Sequence, residues 1–451
     1  MIVVASRVRA LSAAARSLPG RWRGRGWSLI ALMIGLAFGL GACRRVDEGV
    51  TRLQFSFWGS IQQQAMEAKI VAAFEQEHPD VQIEMLRIGS RYPEKVQSML
   101  VGRIAPDVMM IDVHAYYDWA ARGVLVDLTD EMAAMEQEDE VMPLPHDVVQ
   151  WRGHVYGLPV NVHGMGLYYN KDILAAAGIE IPEEGPTWAW VEAIAPKLAR
   201  RIGGADAPCD YVMVSPEALT LAACFGARLF DDLSRPTRVT VDSPEMKAAM
   251  TYLRRNVESG AMLARPEIND PGNPQAQGNL FRQGRVAFHI AGRWEVPNLL
   301  GRTDFAWDVL PMPAGPAGSV SPHGGTIVGV SADSPHRAAA VAFARFYASR
   351  RVAEMVMPAG RIVPVFRDLA YSQAFAATLP GVNARVFADT MKRGRATFYN
   401  YTPGVAGSRR LFEDRFEQVT AEPDTPIEAI LQTMQLELER WLRRMQQKGL
   451  L

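Results

Sequence analysis

The sequence predicts an α/β protein of two lobes, and three observations carry that expectation. The chain has 451 residues, 48% hydrophobic and 22% charged, enough for two ordinary domains that each bury a core. Between residues 51 and 129, short apolar and aromatic runs alternate with helical patterns, as in a doubly wound lobe. The stretch from Gly153 to Asp172 then reads as strand, Gly-punctuated strand and polar helix start, the form expected where a chain crosses from one lobe to the other.

Leu53 to Phe57 alternates as a strand and runs into the strand-to-helix turn Trp58-Gly59-Ser60. Ser60 caps a helix expected to bury Ile61, Ala65, Met66, Ile70 and Phe74. It stops at His78-Pro79, since proline disfavours helix at the residue before it. Val81 to Met85 is a second strand, and a helix through Val96, Met99 and Leu100 follows. Pro106 to Asp112 has an unbroken apolar middle, suited to a strand buried on both faces of a parallel sheet. Tyr116, Tyr117, Trp119 and Ala120 fall on a short helix ending at Gly123, and Leu125 begins an acidic surface segment that runs through Glu140.

Beyond the crossing, Thr187 caps one helix, and Ser243 caps another with Pro244 at its first position. Phe281 to Ile290 turns at Gly284 into a strand that ends in Ala291 to Glu295. Pro311 to Gly318 is a connector, Gly324 to Val330 a buried strand, and Ser334 to Arg337 opens a helix carrying Ala340, Phe343, Ala344 and Tyr347. Thr425 to Glu428 reads as a capping box. The helix it opens spaces Ile430, Leu431, Met434, Leu438 and Leu442 along one buried face.

At the N-terminus, Arg21, Arg23 and Arg25 precede an apolar run from Trp27 to Leu40, shorter than the roughly 20 residues of a spanning helix. Leu40-Gly41-Ala42-Cys43 follows and resembles the bacterial lipobox, so residues 1–42 are expected to be a lipoprotein signal peptide. Cys43 would carry the lipid, and residues 43–50 would form a linker. Cys209 and Cys224 then remain as an even pair in an oxidising compartment, bonded to one another or left as two buried thiols. A formal net charge of −1 gives no basic face for nucleic acid.

Signatures of catalysis are missing: no phosphate-binding loop, no His-Glu-x-x-His helix, no Gly-x-Ser-x-Gly elbow. Histidines and cysteines do not cluster at metal-ligand spacings, so neither metal nor cofactor is expected. Aromatic and polar residues stand instead at the ends of the expected strands: Trp58, then Asp112 with His114 and Tyr117, His163 at the crossing, and Trp294. In open α/β sheets, ligands bind outside the carboxyl ends of strands. Aromatic faces cover the C–H patches of a sugar while Asp and His bond its hydroxyls.

The motifs together resemble the extracellular solute-binding proteins of ABC importers, in the carbohydrate-binding group that includes maltose-binding protein. The matching pieces are Phe74 to Val81, Ala105 to Val108, Gly123 to Thr129, Tyr156 to Pro159, Leu167 to Asp172, Pro186 to Trp188, Phe281 with Gly284 to Ala287, Gly292 to Trp294, and Gly360 with Pro364. That resemblance implies a periplasmic-binding-protein-like type II fold with a ligand cleft between two lobes and several hinge crossings. Residues 51–162 with 318–352 would form the first lobe, and 163–317 with 353–451 the second. It adds Gly325 and Arg361 to the candidate ligand contacts. It also implies a monomer that binds a carbohydrate, meets the transmembrane permease subunits, touches the membrane only through its lipid, and works outside the cytoplasm, either in the periplasm or on the outer face of the cytoplasmic membrane.

Other readings stay open at this point. A polyamine would need several acids with aromatic walls, and a phosphorylated glycerol would need convergent arginines such as Arg293 or Arg361. A polyol, a sensory lipoprotein without transport, and an envelope enzyme using Asp112, Glu295 and His163 as acid and base complete the alternatives.

Overall fold

β1 (Thr51–Phe57) begins a run of alternating strands and helices, and Ser60 caps α1 (Ile61–Glu77) by accepting from the Gln63 amide at 3.3 Å. The computed structural model describes residues 49–142, 149–232, 235–265, 276–301, 303–321, 324–393 and 403–451, so the signal-like segment and Cys43 lie outside the described residues. α1 buries Glu67, Ile70, Val71 and Phe74, an i, i+3, i+4, i+7 stripe. Ile61 (74% exposed) and Ala65 were expected inside and stand outside, because the phase set by Ile70, Val71 and Phe74 turns positions 61 and 65 to the opposite side.

β2 (Val81–Arg87), α2 (Tyr92–Val101), β3 (Val108–Asp112) and α3 (Val113–Ala121) follow, with Val108 to Ile111 buried throughout. The segment expected at the surface instead buries Leu125, Val126 and Leu128. It then forms a helix, Thr129–Glu138, with Met132 in the core, so only its outer side is acidic. Next come β4 (Leu158–His163) and β5 (Met165–Asn170), with Gly164 alone between them. α4 (Trp188–Leu198) and α5 (Pro244–Glu258) carry the expected caps, the Thr187 and Ser243 hydroxyls accepting from the amides of Trp190 and Met246. β6 (Phe288–Gly292), β7 (Trp307–Leu310), β8 (Gly324–Val330), α6 (Arg337–Ala348), α7 (Arg350–Val356), β9 (Val363–Pro364), α8 (Val405–Ala421) and α9 (Ile427–Gln447) complete the elements used below.

Six strands form one sheet in the order β9-β4-β8-β3-β1-β2, and three form another in the order β6-β5-β7. β1 is parallel to β2 and β3, whereas β8 is antiparallel to both β3 and β4. The sheet expected to be parallel is therefore mixed. A parallel neighbour needs a crossover connection, but β8 enters this sheet directly from β7 of the other one and runs the opposite way. β9 also pairs with β4, which places residues 363 and 364 in the six-stranded sheet rather than with the rest of the second lobe, since the outer edge of β4 is open to take them.

Each sheet has its own core. One is built by β1 to β3 and β8 with α1, α2, α3 and α6, and the other by β5 and β6 with α4, α5, α8 and α9. A third cluster, with Val162, Tyr168, Val309, Val363, Phe366 and Phe387, forms where the two sheets meet. α9 buries the five residues that its spacing predicts. Its start differs, because Pro426 occupies the cap position and the Thr425 hydroxyl donates to Glu422 Oε2 at 3.1 Å, so no capping box forms.

Cys209 and Cys224 are free thiols, which answers the question of a disulfide. Cys209 Sγ donates to the Leu198 and Tyr211 carbonyls at 3.2 and 3.1 Å, while Cys224 Sγ faces the carbonyls of Pro313 and Val320 at 3.7 and 3.9 Å. Burial pushes Cys209 up to about 12 and raises Cys224 as well, so the reactive thiolate is scarce at neutral pH. Alkylation without reductant, followed by peptide mapping, is expected to leave both cysteines unmodified in the folded protein and to modify both after unfolding; a disulfide-linked peptide would contradict the arrangement.

Candidate functional site

β3 and β4 end, and β8 begins, at one edge of the six-stranded sheet. Asp112, Thr326 and Asn161 are register partners across β3, β8 and β4, and two residues further along His163 lies opposite Gly324. Partners across a ladder share a face, as do residues two apart, so Asp112 and His163 project on the same side as Met110 and Asn161. β1 ends at this edge too: the pairing of Phe55 with Val108 puts Trp58 level with Ile111.

Trp58 is half-buried and meets Tyr92 edge-on, with ring centroids 5.1 Å apart. The Tyr92 hydroxyl is in turn held by Ser56 and by the Met110 carbonyl, both at 2.8 Å, which ties the Trp58 turn to β3. His163 meets Trp294 edge-on at 5.2 Å. His163 ends a strand of the large sheet, and Trp294 follows β6 of the small one, so this contact joins the two sheets. The Trp294 ring folds back over Gly292, where a Cβ would stand 2.0 Å from it, and only glycine leaves that room.

Arg293, weighed as a phosphate ligand, is a buried structural residue. Its Nε donates to the Gly360 carbonyl at 3.0 Å, its Nη2 bonds the Thr378 hydroxyl, and its guanidinium lies 4.0 Å from the Phe375 ring centroid. Burial holds its pKa down to about 10. The bond to Gly360 fixes Trp294, the residue after Arg293, relative to Arg361, the residue after Gly360.

The remaining candidates divide. Tyr117 is 1% exposed and packs against Tyr116 and Trp151 in the core of the first lobe, so the short helix turns it inward. Gly325 is buried, and a Cβ there would stand 2.5 Å from the Asn161 carbonyl oxygen, so its smallness serves the close approach of β8 to β4. His114 lies on α3, and its side chain is outside the described residues. Glu295 turns inward to Arg282 Nη1 at 2.6 Å and Asn298 Nδ2 at 3.2 Å; burial raises its carboxyl all the same. It is therefore engaged within its own lobe rather than set beside Asp112 and His163 as an acid–base partner.

Sequence reasoning missed a cavity of about 200 Å³ bounded by α1, β3, β4, α6, α7, the segment before β9, and Pro297. Its walls are mostly methionine and aliphatic side chains, with Gln63, Glu67, Asn161, Tyr347 and Arg361 as the polar members. Glu67 accepts from the Tyr347 hydroxyl at 2.7 Å and from Gln63 Nε2 at 3.2 Å. Burial raises its carboxyl to about 7, against those two hydrogen bonds and the charge of Arg361, which hold it down. The signal was present in the sequence, because Glu67 occupies the first position of the stripe completed by Ile70, Val71 and Phe74. An acid on the buried face of an amphipathic helix is uncommon unless it is paired or functional.

A separate contact joins residues of the two halves. Asp118 on α3 accepts from the Gly404 amide at 2.9 Å, just ahead of α8, and burial raises the Asp118 carboxyl. Among the described residues, no group of three or more His, Cys, Asp or Glu side chains could hold a metal ion.

Two sheets with separate cores, joined by strands that pass from one to the other, make a two-lobed periplasmic-binding-protein-like fold. Residues 69–380 match the family of bacterial extracellular solute-binding proteins, and the chain belongs to that family. Among curated relatives, an uncharacterized lipoprotein of Streptomyces antibioticus is 28% identical over 292 residues, covering 62% of this chain and 62% of that protein. The mannitol-binding protein of Pseudomonas aeruginosa is 24% identical over 355 residues, covering 72% of this chain and 76% of that one. The chain thus spans about three-fifths to three-quarters of these relatives. An ABC substrate-binding protein of Listeria monocytogenes, solved in complex with cycloalternan, is similar in fold with a TM-score of 0.75 at 22% identity, covering 87% of this chain and 99% of that one.

Replacing Arg293 by Ala removes the link to Gly360 and leaves a void beside Phe375. Urea unfolding is expected to show a loss of about 2–4 kcal/mol, the range for truncating a large buried side chain together with its hydrogen bonds.

Proposed function

We propose that this chain is the lipid-anchored, extracytoplasmic receptor of an ABC importer, that it closes two lobes over a sugar or oligosaccharide, and that it presents the solute to the permease. The observation that carries this reading is the convergence of Trp58, Asp112 and His163 at one sheet edge, with Trp294 brought against His163 from the end of β6 in the other sheet. Tryptophan faces cover the apolar C–H patches of a sugar ring, and the carboxylate and imidazole bond its hydroxyls. The mannitol-binding protein and the cycloalternan complex among its similar proteins support a hydroxyl-rich solute. A polyol is the nearest alternative.

The lobes are taken as residues 51–162 with 318–352 and residues 163–317 with 353–451, apart from β9, and they would move about the crossings between the sheets. A permease that prefers the closed arrangement reads the ligand through it. Attachment rests on Cys43 within Leu40 to Cys43, and a lipoprotein among the relatives supports it. Among the described residues, no helix is long and apolar enough to cross a membrane. A non-catalytic role is supported by Glu295, whose carboxyl is engaged by Arg282 and Asn298. We take the protein as a monomer without cofactor.

A thermal-shift screen of the purified protein against mono- and oligosaccharides, polyols and polyamines tests the reading, because a ligand that binds only the folded state raises Tm. At least one carbohydrate or polyol is expected to shift it, and a response to polyamines alone would overturn the assignment. Trp58→Ala and Trp294→Ala are each expected to weaken that ligand roughly two- to tenfold, in line with about 0.5–1.5 kcal/mol for an aromatic contact. Full affinity in both variants would move the site elsewhere.

A further inference from the structure

We propose that the cavity beside Arg361 is a subsite for an anionic oxygen group of the solute, a carboxylate or a phosphate ester, with Arg361 as the residue that binds it. The proposal rests on the solute-receptor reading above and narrows the solute to an acidic sugar or polyol derivative.

The argument begins with the guanidinium. Arg361 is half-buried in the cavity wall, and among the described residues it makes no hydrogen bond or ion pair. A desolvated arginine is normally matched by a carboxylate, since withdrawing its charge from water is costly unless it is paired. Glu67 is the nearby acid and its charge acts on Arg361, but its two oxygens are directed to Tyr347 and Gln63, and no hydrogen bond joins it to the guanidinium among the described residues. The fork of donors on Arg361 is therefore left for something that enters the cavity, and its geometry matches a carboxylate or phosphate. At about 200 Å³ the cavity is smaller than the 300–1,000 Å³ of whole-ligand sites, so it suits one moiety of a larger molecule. Its placement agrees: Met110 and Asn161 line it from the sheet face that also carries Asp112 and His163, and Pro297 closes it three residues after Trp294.

Glu67 makes the subsite sensitive to pH. The groups that act on it are Gln63 on its own helix, Tyr347 on α6 and Arg361 before β9, and Tyr92 on α2 acts through Tyr347. With its carboxyl raised to about 7, Glu67 is neutral below that pH and leaves the cavity with the charge of Arg361 alone. Above it the ionised Glu67 offsets that charge and repels an entering anion. An acidic solute should bind more tightly at pH 6 than at pH 8.

Calorimetric titration of the purified protein with glucuronate, glycerol 3-phosphate, their neutral counterparts glucose and glycerol, and inorganic phosphate tests this. At least one acidic member is expected to bind roughly tenfold or more tighter than its neutral counterpart, and Arg361→Gln should remove that advantage while Arg361→Lys retains part of it. Preference for glucuronate identifies a carboxylate, and preference for glycerol 3-phosphate a phosphate ester. The pH profile is read on the carboxylate, whose charge is constant from pH 6 to 8, and Glu67→Gln should flatten it. Neutral members binding as well as acidic ones, or an anion advantage that survives in Arg361→Gln, would overturn the subsite and leave the solute-receptor reading standing. If neither this panel nor the carbohydrate and polyol screen gives any binding, that broader reading falls with it.

Discussion

A single residue, Gly164, separates β4 from β5, and each of those strands is hydrogen-bonded on both sides within its own sheet. β4 lies between β9 and β8, and β5 lies between β6 and β7. Neither strand can change register without breaking two ladders, and a shift of one residue would reverse every side chain between core and cleft. The relation between the two halves of the molecule is therefore set at this point. His163 ends one ladder and Met165 starts the other, which is why a histidine of the large sheet can sit edge-on to a tryptophan held by the small one.

A second tie works in parallel. Arg293 joins the turn after β6 to Gly360, ahead of β9, and β9 in turn pairs with β4. Trp294 and Arg361 are thus positioned by one guanidinium, while Tyr92 couples Trp58 to β3. The candidate contacts are side chains at element ends whose backbones are fixed by buried neighbours. This is the usual division between a rigid scaffold and the exposed groups it presents.

Much of this was legible because it is local. Strand alternation from Leu53 to Phe57, the caps at Ser60, Thr187 and Ser243, and the buried stripe of the last helix depend on residues within a few positions of one another. The failures lie where distant chain decides. Thr425 had a cap sequence but its hydroxyl turned to Glu422, and Ile61 looked apolar enough to bury until the phase of α1 was fixed by what packs on Ile70 and Phe74. The direction of β8 follows from its arrival out of the other sheet, which no local pattern encodes. Among the candidate contacts, Trp58, Asp112 and His163 are read from strand ends, and they stand together at one edge of the sheet. Tyr117 carried the same signal and proved to be core, and Arg293 looked available until its partners Gly360 and Thr378 were seen, both more than sixty residues away in the chain.

The bond from the Gly404 amide to Asp118 has a consequence for how firmly the two segments are held. A hydrogen bond to a charged group is worth about 1.5–3 kcal/mol, which is roughly a ten- to hundredfold factor in an equilibrium or in the lifetime of the state that contains it. Burial of the carboxyl works against that gain. Between residues far apart in the chain, one such bond adds a modest tie beside those made at Gly164 and Arg293.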